Sequence, residues 1–347
     1  MIITEQIEIE SIALHFVGNK MNDEGIRLSK SELKTDESIN DLLLTYFFSP
    51  FKSNEYYNLY HDSDIELNEV YSFVSEIFDN PDSLYDQSVH LAKHLYEQSV
   101  HPKVKGGELY VAYFRDIILD GKTLDAVGLF KSETKETFLK VHPKNDGFSV
   151  ESEAGINIHK LDKGCLIFNT ERDKGYLVSV VDNLNKGAEA QYWIDHFLHV
   201  QHRNDEYFQT KNVLSMCKSF VVEKFPEQFD VSKADQADLL NKSVKFFKDN
   251  NNFDFDDFAS EVIQAPDVIH SFNSYKTEFE VDNNLKLNNN FEISDAAVKK
   301  QSKVFKSVIK LDKNFHIYVH GDHQQIVKGF DPVTGMNFYQ LFFKEES

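Results

Sequence analysis

Cysteine is almost absent from this chain. Cys165 and Cys217 are the two thiols among 347 residues. Both lie in apolar surroundings, and such a pair builds neither a disulfide framework nor a thiolate metal cluster. They read as buried free thiols of a reducing compartment. Long apolar runs are missing too: no stretch approaches the roughly 20 residues that a bilayer core demands. The N-terminal MIITEQIEIESIALHF is broken by Glu5, Glu8 and Glu10, a pattern of neither a secretory leader nor a span. The expectation is a cytoplasmic protein without membrane contact. Gly106-Gly107 precedes a strand pattern rather than a helix, and no Walker or dinucleotide fingerprint occurs. Serine, cysteine and histidine are too scattered to suggest an activated nucleophile. No cofactor and no catalysis are expected.

Positive charge is also scarce. Lys and Arg number 37 against 57 Asp and Glu, a formal charge of -20. Duplex binding rests on neutralising phosphates with cations, so a broad DNA-binding surface is excluded and any nucleic-acid contact must be local. The same charge suits a different partner, a basic protein docked on an acidic surface. What the chain has in quantity is phenylalanine, 30 residues within a 13% aromatic and 41% hydrophobic composition, which predicts folded domains with Phe-rich cores. The length favours two of them.

Taken in order, Ile7, Ile9, Ile12, Leu14 and Phe16 suit an opening strand. A helix is predicted from about Asp36 to Phe48, with Ile39, Leu42, Leu43, Tyr46 and Phe47 on one face and Pro50 as its stop. A short strand follows at Tyr56 to His61. A second helix runs from an Asn68 cap to about Phe78, and a third from Asp82 or Ser83 to about Ser99. From Gly106 the period becomes two. Leu109–Leu119, Leu124–Lys131, Thr137–Val141, Phe148–Ile158, Cys165–Asn169 and Tyr176–Val181 are separated by turn residues, which predicts an antiparallel meander with the helices on one side. Asn185-Lys186-Gly187 is the expected boundary. Helices then return at Ala188–Leu198, Asp205–Phe225, Ser232–Asp249 and Phe255–Gln264, Ser232 with Asp235 forming a capping box. The expected fold class is α+β: N-terminal helices on an antiparallel sheet in 1–184, then a mainly helical domain in 185–347 closed by a small antiparallel sheet.

One stretch runs against the overall charge. Between Lys299 and Lys313, the lysines Lys299, Lys300, Lys303, Lys306, Lys310 and Lys313 face a single acid, Asp312. Asp295 to Ser302 suits a helix capped by Ser294. Val304–Leu311 and Phe315–His320 suit a hairpin turning at Asp312-Lys313-Asn314. Lys306 and Lys310 would then share a strand face, with His316, Tyr318 and His320 adjoining. No arginine lies nearby to grip guanine edges, so the arrangement suits backbone contact to double-stranded DNA rather than sequence reading. The plain alternative is a solvated lysine face that balances acids elsewhere.

Three other constellations carry less. His90, His94, Glu97 and His101 recur at helical spacing, as zinc ligands can, but the apolar stripe lies elsewhere, so an exposed helix face is expected and no metal. Asp116 with Glu133-Thr134-Lys135 resembles the carboxylates and lysine of metal-dependent nucleases; Lys131 to Lys135 reads more simply as a polar hairpin tip. Trp193 with Tyr192, Phe197 and Leu198 reads as core rather than a platform for bases.

Six blocks in order resemble bacterial nucleoid-associated proteins of the NdpA/YejK type. They are IALHFVGNK from Ile12, DAVGLFKSE from Asp125, CLIFNT from Cys165, EAQYWIDHFL from Glu189, NDEYFQTKN from Asn204 and KSVIKLDKNFHIYVHG from Lys306. The likeness is nearest to Bacteroidetes-like members and spans nearly the whole chain. It implies a DNA-associated protein of the cytoplasmic nucleoid with no family-wide enzymatic activity. It is compatible with a homodimer and with DNA-handling proteins as partners. The chain departs from the family in charge: members are more basic where this sequence has Asn185-Lys186-Gly187-Ala188-Glu189, so the resemblance carries no DNA contact for that segment.

Overall fold

The computed structural model describes residues 2–3, 7–52, 54–184, 192–303, 305, 308–312, 314–318 and 326–345. The chain forms two compact units, Met1–Arg203 and Asn204–Ser347. The 185–187 segment expected at the boundary lies outside the described residues; Tyr192–Leu198, beyond it, packs into the core of the first unit.

The first unit contains, in order, β1 (Ile2–Ile3), β2 (Glu8–Val17), β3 (Ile26–Arg27), α1 (Glu37–Phe48), β4 (Tyr57–Leu59), α2 (Glu69–Asp79), α3 (Leu84–Gln98), β5 (Gly107–Leu119), β6 (Lys122–Ser132), β7 (Glu136–Lys144), β8 (Gly147–Gly155), β9 (Lys163–Phe168), β10 (Leu177–Asp182) and β11 (Val200–His202). The helix starts follow from local chemistry. Asp36 accepts from the backbone N–H of Ile39, and Asn68 accepts from that of Tyr71, so each helix begins with an orphan donor satisfied. Asp120 and Gly121, both at positive φ, close the β5–β6 hairpin in two residues, the twist that such a turn requires.

The sheet order is β11-β4-β10-β9-β6-β5-β2-β3, with β1 added against β5. All its pairings are antiparallel. Two features differ from the predicted six-strand meander. First, β7 and β8 leave the sheet as a separate two-stranded ribbon, so that β6 and β9 become direct neighbours. Second, helices cover both faces. Along β5, Leu109, Val111 and Tyr113 point into a core with α2, α3 and Trp193. The alternate residues Tyr110, Ala112 and Phe114 point into an opposite core under the end of α1. Phe47 stacks on Phe130 there, with ring centroids 4.0 Å apart and planes 7° apart. Uninterrupted apolar runs in β5, β6 and β9 are what a sheet buried on both faces requires. The second half of α1 reaches that core: Tyr46, Phe47 and Phe48 are buried and Leu43 and Leu44 pack against it, whereas Ile39 and Leu42 stay exposed.

The second unit runs α4 (Glu206–Ser219), a π-helical turn at Phe220–Lys224, α5 (Phe225–Gln228), α6 (Lys233–Asp249), β12 (Asn252–Asp254), α7 (Phe255–Phe258), a second π turn at Ala259–Ile263, α8 (Pro266–Asp282), β13 (Asn290–Glu292), α9 (Asp295–Ser302), β14 (Val308–Leu311), β15 (Phe315–Tyr318), β16 (Ile326–Asp331) and β17 (Met336–Leu341). The Ser232–Asp235 capping box opens α6 as predicted. The core is built on phenylalanine: Phe247 stacks on Phe253 at 5.0 Å, and Phe253 on Phe291 at 4.9 Å. The sheet elements that close the unit are the antiparallel ribbons β14–β15 and β16–β17.

Candidate nucleic-acid interface

Helix α9 begins at its predicted cap. The Ser294 hydroxyl accepts from the Ala297 N–H at 3.4 Å, and the Ser294 N–H donates to Thr210 Oγ1 at 3.0 Å. Ala297 and Val298 are buried, and the helix packs against α4 and α6. This leaves Lys299, Lys300 and Lys303 exposed. Lys299 and Lys300 occupy the last turn, where the negative end of the helix dipole favours cations. The Lys300 ammonium lies 5.8 Å from the centroid of the Tyr207 ring.

Phe305 is buried, and the chain then enters the β14–β15 hairpin. Its register pairs Ile309 with Ile317 and Lys310 with His316. Directly opposed residues share a face, so the pairing sorts the hairpin into two sides. Ile309, Leu311 and Ile317 pack on Ala234 and Ala237 of α6. Lys310, His316 and Tyr318 are exposed on the other side. Asp312 holds the turn at φ 50°. Phe315, although in register with Leu311, is 65% exposed. Lys306, Lys313 and His320 lie outside the described residues.

Helix α6 is therefore the common floor under α9 and β14. Among the described residues, Lys299, Lys303 and Lys310 form no ion pair. The arginines behave differently. Arginine occurs at positions 27, 115, 172 and 203 and nowhere in the second unit. Arg172 grips Asp79 through two hydrogen bonds of 2.6 and 2.9 Å, and Arg203 grips Glu171 at 3.1 and 3.2 Å. Arg115 bonds Glu10, and Arg27 lies over the Phe16 ring.

The other constellations are dispersed. Asp116 and Glu133 lie towards opposite ends of the β5–β6 pair, since Glu108 faces Ser132 across the ladder. Eight residues of strand put Asp116 about 25 Å from that end, too far to share a metal. Lys135 pairs with Glu108 at 2.7 Å. The stretch expected as a polar hairpin tip is in fact partly interior. Lys131, Ser132 and the Glu133 side chain are almost inaccessible. The Lys131 ammonium donates to Lys105 O (2.9 Å) and Tyr192 Oη (3.1 Å), with Glu133 Oε1 at 3.1 Å. Burial pulls the Lys131 ammonium's pKa down, against the pull of Glu133; burial and then Glu133 push the Tyr192 phenol's well up. Lys163 lies on the other flank of Tyr192, its ammonium 2.6 Å from Asp182. No sequence signal pointed to this cluster, because its members come from separate strands and a distant turn.

The histidine series is not an exposed face throughout. His94 is tucked beside Phe197, its Nε2 3.0 Å from the Phe197 carbonyl, while His90 stacks on Phe73 and Glu97 pairs with Lys20. His101 lies beyond the end of α3. Among the described residues no group of three or more His, Cys, Asp or Glu could hold a metal ion. Trp193 is fully buried, as expected of core. Among the described residues no helix is long and apolar enough to cross a membrane.

The family model described as nucleoid-associated protein YejK matches residues 13–334, through both units and the lysine-bearing stretch. The chain belongs to the YejK family of nucleoid-associated proteins. Membership fits a nucleoid-associated role. The matched range spans α9 and β14–β15. No curated protein matches the chain.

Proposed function

We propose that this protein acts at the cytoplasmic nucleoid by gripping the phosphate backbone of double-stranded DNA locally, without reading base sequence and without chemistry on the strand. The contact surface is the lysine stretch: Lys299, Lys300 and Lys303 on and after α9 and Lys310 on the outer face of the hairpin, together with Lys306 and Lys313, which lie outside the described residues. The observation that carries this reading is the contrast in pairing. In a chain of charge -20, most arginines are held by carboxylates, whereas Lys299, Lys303 and Lys310 are exposed and form no ion pair among the described residues. Phosphate contact by lysine releases counterions, so log affinity should fall with log salt at about 0.9 per phosphate neutralised. The absence of arginine in the second unit argues against bidentate guanine recognition.

Titration of the protein onto unrelated duplexes over a range of salt tests this. Replacing Lys303, Lys306 and Lys310 by Gln should weaken all duplexes equally and reduce the salt slope by about 2–3. Lack of duplex binding at low salt by the intact protein would sink the proposal. The net charge favours a second reading, an acidic adaptor for basic DNA-handling proteins with little DNA contact of its own. Partners that survive nuclease treatment of a pull-down would support the adaptor; partners lost with the DNA would count against it.

A further inference from the structure

The β7–β8 ribbon bears a surface that its own unit does not cover. It is inserted between β6 and β9, and every residue from Thr137 to Ala154 is exposed except the half-exposed Ser149. The register Lys140↔Glu151, Val141↔Val150 and Pro143↔Phe148 assigns each side chain to one of two faces. One face is mostly polar and charged: Lys140 pairs with Glu153, and His142 approaches Glu151 at 3.5 Å, with Phe138 and Lys144 beside them. The other presents Leu139, Val141, Pro143, Phe148 and Val150 without one charged residue. Leu139 is 72%, Phe148 77%, Val141 59% and Val150 60% exposed. A contiguous apolar face of this kind marks an interaction surface.

We propose that this face docks a second copy of the chain, two ribbons packing apolar face to apolar face about a two-fold axis. The chemistry of the face narrows its occupant. It has no cation for phosphate and no carboxylate for a basic protein, so neither DNA nor the partners suggested by the acidic surface fit it. The ribbon also carries little net charge, with Lys140 and Lys144 set against Glu136, Asp146, Glu151 and Glu153. Two copies of a -20 chain therefore meet on a face that adds little to their mutual repulsion.

Size argues for the antiparallel arrangement. The bulky residues Pro143 and Phe148 lie near the tip, whereas Thr137, Ser152 and Ala154 of the same face lie towards the base. A two-fold axis through the middle of the ribbon sets each bulky tip over the small base of its partner, as interdigitating layers require. Covering the five large side chains removes on the order of 100 Å² each. That is about 1,000 Å² for the pair, the lower bound of a specific interface, so the dimer should be reversible.

Sedimentation velocity of the full chain over roughly 1 to 100 μM should show a monomer–dimer equilibrium. The double variant Leu139→Lys/Val150→Lys should raise the dissociation constant at least tenfold with an unchanged circular dichroism spectrum. Lys140→Gln, on the charged face, should leave it unaltered. Because Cys165 and Cys217 are both buried, introduced thiols report geometry. Chains carrying Phe148→Cys mixed with chains carrying Ala154→Cys should cross-link to each other in preference to themselves. A chain monomeric at every concentration, a dimer indifferent to the two lysine substitutions, or cross-links joining position 148 to itself would overturn the proposal. None of these readouts involves DNA, so the test is independent of the nucleic-acid reading.

Discussion

Lys163 shows what a single residue does in the first unit. Its side chain is inaccessible, and its ammonium lies 2.6 Å from Asp182 and 5.1 Å from the centroid of Tyr192. A buried pair of this kind adds little over an apolar pair of equal volume, but removing one member strands the other charge. Lys163→Ala should therefore cost about 3–5 kcal/mol, and Lys163→Met combined with Asp182→Leu should recover most of it, both measured by urea unfolding. A double variant as unstable as the single one would show that Asp182 matters through other partners. At this scale the sequence was legible wherever the chemistry is local. Asn68, Ser232 and Ser294 are caps in sequence and in structure, and Asp36 caps the helix expected to start near it, because a cap needs only the next three residues. Lys131 and Lys163 were not legible, since Lys105, Tyr192 and Asp182, which help make their burial tolerable, lie far from them in sequence.

Among the elements, the β7–β8 ribbon touches neither core. Glu136 and Gly155 face each other across its base, so residues 137–154 can be replaced by Asn-Gly, the shortest favoured hairpin link. The shortened chain should melt within about 2 °C of the parent, as expected when only exposed residues are removed. A much lower melting temperature would mean that the ribbon supports its own unit. The departure of this ribbon from the sheet was written in its composition. Strands β5, β6 and β9 carry apolar runs that serve both faces, whereas β7 alternates Leu139 and Val141 with Lys140 and His142, a pattern for one covered face. Alternation predicts a strand, but membership of a sheet covered on both faces demands more. Helix α8 leaves no pattern in the sequence: Phe272 and Phe279 are its buried residues, too few to set a visible period. The lysine stretch was legible in outline. Helix α9 and the two hairpin strands arise where expected, and the register adds which side of the hairpin Lys310 occupies.

At the scale of the whole molecule, burial of acidic hydroxyls and thiols sets an alkaline limit. Burial, and then the charge of Glu108, pushes Tyr110 up to about 12. Burial likewise raises Tyr46, Tyr113, Tyr192, Cys165 and Cys217. A folded-state value above the unfolded one means that the native chain holds its proton longer. The stabilisation is complete below about pH 10 for the tyrosines and is lost as pH rises towards 12. The Tyr110 shift corresponds to at most about 2–3 kcal/mol. Urea midpoints should thus drop between pH 8 and pH 11, and Tyr110→Phe should shrink that drop; equal midpoints at the two pH values would refute it. The main sheet adds a consequence of another kind. Among the described residues it ends in β3 and β11, strands of two and three residues, and the neighbouring β2 backbone is further occupied where the Leu33 N–H bonds the Ile12 carbonyl. Such short margins offer almost no template for another strand. A second copy meets no long terminal strand in this sheet, so growth of a fibre from β3 or β11 has little to start on.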